Sequence, residues 1–160
     1  MSDLPEPASW QLLEFLAARV RLISRTAGFF TDIGAGLILL DAEDAPEDFA
    51  DAATAIVVDR ISFSSGSRAQ SSSDVGVTIE FSVPRRDDQE RPNRLVHRAR
   101  HDLVRVLTFD RRDLPLGLTK FELIDTQLAA VTDDAGHSSV VAQITARAGL
   151  TEIFQPVSIP

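Results

Sequence analysis

The chain contains no cysteine. Disulfides and thiolate metal sites are therefore excluded, and folding in a reducing compartment fits the absence. Lysine is almost missing too: among 16 basic residues only Lys120 is not arginine. Guanidinium forks pair well with carboxylates across interfaces, and a GC-rich coding sequence produces the same bias. No apolar run approaches the ~20 residues of a membrane span. Met1 to Ala8 is acidic and carries proline, without the basic start and apolar run of a secretory signal. The expectation is a soluble protein made in the cytoplasm, with no membrane partner. Positive charge is in deficit as well. A net charge of −8 repels phosphates at long range, which argues against sequence-specific nucleic-acid binding.

What is present fits one domain. A chain of 160 residues, 44% of them hydrophobic, can bury roughly 70% of its unfolded surface. Leu12, Leu16, Val20 and Ile23 share one face of a helix that Ser9 can cap and that runs to about Thr26. Gly28 stands where a helix end takes a left-handed residue. Leu37 to Leu40 reads as a short strand and Ala55 to Phe63 as a second. Ser64 to Ser73 has the composition of a flexible loop. From Asp74 to Val83 apolar and polar residues alternate strictly, a half-buried strand and the second arm of a long hairpin. Pro92 opens a second helix with the core stripe Leu95, Ala99, Leu103 and Val106, ending near Phe109. Two strands follow, about Thr119 to Ala130 and Ser139 to Ala148, joined by a turn at Thr132 to Gly136. The expected fold is α+β in the order α-β-β-β-α-β-β, a largely antiparallel sheet with both helices packed on one face. Residues 1–153 form the domain, and 154–160, apolar with two prolines, form an extended C-terminal arm.

A search for chemistry returns nothing organised. His97 and His101 are four apart on the second helix, a spacing that can hold a metal. Their face is opposite Leu95 and Leu103, and a third ligand such as His137 must come from a distant turn. A solvated helix face is the expectation. The serines cluster in the flexible segment, where no triad can be preorganised. Gly34-Ala35-Gly36 lacks the Lys-Ser/Thr of a phosphate loop. No catalytic residue, cofactor or metal is expected.

Candidate contact residues do emerge. Phe15 and Leu22 widen the apolar arc of the first helix beyond what one sheet contact covers, which suits either deep packing or a helix shared with a neighbouring subunit. Asp41 to Asp51 holds six acids (Asp41, Glu43, Asp44, Glu47, Asp48 and Asp51) and no base. Arg94, Arg98, His101 and Arg105 form a basic line along the second helix, either solvated or a docking strip for carboxylates. In a ring, that line on one subunit can meet the acidic run on the next. Arg68 in the serine segment and Phe154 in the arm complete the set.

One run carries a family resemblance. After the helix that contains Trp10-Gln11-Leu12-Leu13 comes Gly28-Phe29-Phe30-Thr31-Asp32-Ile33-Gly34. This resembles the Gly-aromatic-x-Thr-Asp-x-Gly run of tail terminator (tail completion) proteins of long-tailed bacteriophages, and the order of elements is similar over nearly the whole chain. The resemblance implies a homohexameric ring on the end of the tail tube. Such a ring stops tube growth, offers the surface for the head-completion or connector protein, and leaves a lumen through which DNA passes. It implies a virion protein of the tail-neck region with no catalytic residue, and structural roles for Thr31 and Asp32. The alternatives are another connector, stopper or minor tail protein of the same particle, an unrelated small protein-binding domain, or an enzyme.

Overall fold

The computed structural model describes residues 4–41, 43, 51–67, 69–85 and 91–154. Its elements are helix α1 (Ala8–Val20), strands β1 (Leu37–Leu40), β2 (Ala53–Gly66) and β3 (Gln70–Pro84), helix α2 (Pro92–Leu107), and strands β4 (Leu118–Thr132) and β5 (Ser138–Ile153). This is the expected α+β order. Short 3-10 turns lie at Arg25–Ala27, Ile33–Ala35 and Arg111–Asp113. The strands form one sheet in the order β1-β2-β3-β5-β4. β1 runs parallel to β2, and the other three pairings are antiparallel.

The alternation of β3 decides where the core lies. Val75, Val77, Ile79, Phe81 and Val83 all point to one face and are buried, and both helices cover that face with Leu12, Leu16, Val20, Val96, Ala99 and Leu103. The opposite residues of β3 are half-buried.

Three expectations need correction. The first concerns α1. Its N-cap is Pro7, without a side-chain cap, and Ser9 lies inside the first turn. The helix stops at Val20 and not near Thr26 because another backbone occupies the space beyond it. A Cβ added to Gly34 would sit 2.5 Å from the carbonyl of Ile23 and 2.7 Å from those of Arg21 and Val20. The Gly34 N–H donates to the Ile23 carbonyl at 3.1 Å. Gly28 is left-handed (φ 86°), but it closes the turn Arg25–Ala27 and not the helix.

The second correction concerns the serines. The chain reverses between Gly66 and Gln70, and Ser71, Ser72 and Ser73 are strand residues paired to β2 on one side and β5 on the other. Ser71 and Ser73 are buried. They extend the period-two face that begins at Val75, and neighbours on both sides satisfy the backbone groups that a loop would leave to water.

The third concerns the last strand, expected to end near Ala148. β5 continues to Ile153, and the Phe154 N–H donates to the Ala69 carbonyl at 2.7 Å. Of the expected arm, 154–160, only Phe154 is described, and 155–160 lie outside the described residues.

Candidate functional site

Helix α2 carries a carboxylate inside its apolar stripe. Asp102 is fully buried. Its Oδ1 accepts from the Phe30 N–H at 3.1 Å, and its Oδ2 accepts from the Thr31 N–H and the Thr31 hydroxyl, both at 2.8 Å. Three donors thus converge on one buried carboxyl group. Asp32 turns outward, accepts from the Arg25 N–H at 2.8 Å and pairs with its guanidinium at 3.4 Å. Thr31 and Asp32 thus shape the turn into β1.

The basic line of α2 grips the same loop. Arg105 donates to the Gly28 carbonyl at 2.8 Å and lies 4.4 Å over the Phe29 ring. Arg98 lies 5.8 Å over Phe30, and the His101 ring is 5.1 Å from it, edge to face. His97 and His101 are exposed. Among the described residues no three His, Asp or Glu side chains gather as metal ligands do.

On α1, Phe15 is half-buried, its ring edge-on to Phe109 at 5.2 Å, and Phe109 stacks on Phe121 at 5.3 Å. Arg19 covers Phe109 and donates to the Val106 carbonyl at 3.0 Å. Much of the wide apolar arc is therefore used within the chain, while Leu22 stays exposed. Asp41 and Glu43 are exposed at the end of β1. Asp44, Glu47, Asp48 and Arg68 lie outside the described residues.

Two surfaces were not legible as such. The first is a pair of open sheet edges. β1 covers β2 only from Ala53 to Ile56, so from Val57 to Gly66 the outer edge of β2 has no partner strand among the described residues. Ile61 is exposed there, and Phe63 is 82% exposed. On the other side β4 is the edge strand, with Ile124, Leu128 and Val131 exposed.

The second surface is a cleft between the loop after α1, the start of β2 and the N-terminal half of α2. One part, about 350 Å³, is lined by Arg25, Phe30, Asp51, Arg91, Arg94 and Arg98 among others. A neighbouring part, about 340 Å³, shares Arg25, Asp51, Ala52 and Leu95 and is bordered by Thr54 and Phe81. The structure brings Arg94 and Arg98 together here and holds Arg105 apart on Phe29. It also places Asp51, the last acid of the run, beside those arginines in the same chain. For the buried Asp102, which sequence reasoning missed, the available signal was its phase on the buried stripe with Ala99 and Val106.

Compared with known proteins, the chain matches no family model and no curated protein.

Proposed function

We propose that the chain is a structural assembly subunit, a tail terminator that forms a ring on the end of a tail tube, halts tube growth and provides the head-joining surface. The observation that carries this reading is the sheet with two different edges that no strand among the described residues covers, each bearing apolar side chains. An exposed edge is a template for pairing with another chain; bulges at Val58/Arg60 and Leu123/Asp125 and the charges Asp59, Arg60, Lys120 and Glu122 blunt these two edges in part, and apolar side chains remain beside them. Here β2 offers Ile61 and Phe63, and β4 offers Ile124, Leu128 and Val131. Two unlike edges on opposite sides of one sheet suit a head-to-tail contact between copies, which gives a ring where the rotation closes. The Gly28–Gly34 run and the element order add the tail-terminator resemblance, and the anchored loop gives that run a structural part.

The partners under this reading are further copies of the chain, the tail tube protein and the head-completion protein, with DNA passing the lumen of an acidic ring. The test is removal of the chain from its particle. Overlong or headless tails are the expected result, and tails of normal length that still join heads would exclude the reading.

A further inference from the structure

The two edges of the sheet are not guarded evenly. A bulge and charge blunt β2 at Asp59 and Arg60, and β4 at Lys120, Glu122 and Asp125. Residues 61–66 of β2 and 126–132 of β4 carry no charge and no proline. Both stretches lie on edges, and they leave Ile61, Phe63, Leu128 and Val131 exposed. Uncharged, proline-free strand on an uncovered edge pairs readily with another strand.

Direction, face and length agree on how the two stretches meet. β2 runs against β3, β3 against β5 and β5 against β4, so β2 and β4 point opposite ways. Copies set side by side the same way round therefore bring β4 of one antiparallel to β2 of the next. Leu128 stands opposite Ala142, and Ala142 opposite Phe81; Phe63 stands opposite Ser73, next but one to Val75. Cross-strand neighbours share a face, so Phe63 and Leu128 both point to the helix-covered side of the sheet. We propose that copies of the chain join by this pairing, with Leu128 of one copy beside Phe63 of the next and Ala130 beside Ile61. Thr132, the last residue of β4, then falls at the bulge of β2, just past Ile56, where the cover of β1 ends. Sliding β4 two residues further would drive Thr132 into Leu40, which already pairs with Ile56. Sliding it the other way parts Leu128 from Phe63. In the proposed register the charged parts of the two edges do not face each other. The contact deepens the ring reading and rests on it for its function, but its geometry can be tested without a tail.

The test is disulfide trapping in the full chain, which has no cysteine of its own. Phe63→Cys combined with Leu128→Cys changes two exposed side chains. In one copy β3 and β5 separate β2 from β4, about 14 Å at the spacing of strands, whereas a disulfide needs Cα atoms within about 7 Å. Mild oxidation of the concentrated double variant should give a ladder of covalent oligomers on a non-reducing gel, collapsed by reductant. Each single variant should stop at a dimer. Ser62→Cys with Ala129→Cys, the adjacent pair on the other face, should give the same ladder even if the first pair disturbs folding. Phe63→Cys with Val131→Cys, on opposite faces, should give none. No ladder from either expected pair, or an equal ladder from the mismatched pair, would overturn the proposal. The same variants added to tail tubes separate it from the ring reading. A ladder with uncapped tubes keeps the contact and removes the terminator, and capped tubes without a ladder keep the terminator and remove the contact.

Discussion

At the scale of single residues, Asp102 is the position on which the loop after α1 depends. Asp102→Ala would leave the Phe30 N–H, the Thr31 N–H and the Thr31 hydroxyl without their acceptor. The expected cost is about 3 kcal/mol, a fall in Tm of roughly 10 °C in a scanning experiment. A loss below about 1 kcal/mol would mean that the loop finds other partners. Gly34→Ala should also destabilise strongly, because the new methyl meets three backbone carbonyls, whereas Gly136→Ala faces open space and should cost only about 1 kcal/mol, the strain of its positive φ. The basic line of α2 shows what a sequence pattern leaves undetermined. Spacing correctly puts Arg98, His101 and Arg105 on one side of the helix, but it cannot say that Phe29 and Phe30 fold back onto that side. A charge reversal at Arg105, harmless if the line were solvated, is therefore expected to lower Tm by removing its bond to the Gly28 carbonyl. Asp102 was visible in the sequence only as a carboxylate in phase with the apolar stripe, and its partners lie 71 and 72 residues away.

At the scale of elements, the strongest periodicities gave the most faithful reading. β3 alternates over its apolar part because one face lies under both helices, and the α2 stripe is buried except for half-buried Leu95. The serine segment misled because composition reports what a stretch prefers when alone, while Ser71 to Ser73 are held between two strands. Their amides should exchange slowly in the free chain, and rapid exchange there would contradict the pairing to β5. The turn between β4 and β5 carries a smaller, pH-dependent contribution. The Asp133 carboxyl is held below its ordinary value, chiefly by the His137 backbone N–H. A lowered carboxyl pKa stabilises the fold above the unfolded value and loses that stabilisation as pH falls. The His137 amide resonance should therefore keep its hydrogen-bonded shift to a pH below ~3.9, the ordinary Asp value, and a midpoint above that value would contradict the assignment.

At the scale of the whole molecule, the layer architecture was legible and the contact surfaces were not. Order and patterning indicate two helices over one face of a largely antiparallel sheet. Strand order does not follow from sequence order, so the placement of β5 inside and β4 at the edge was hidden, and with it the open edges. Those edges, not the charge line, now carry the assembly reading. Phe63→Asp combined with Ile61→Asp should leave the monomer folded, since both side chains are exposed, and should prevent ring formation. The most direct measurement of the central claim is negative-stain imaging of growing tail tubes of the particle with the purified chain added. The account predicts a ring on one end of each tube and arrested length, both lost with the Phe63 and Ile61 double variant. Tubes that lengthen unchanged and carry no ring in the presence of the folded wild-type chain would contradict it.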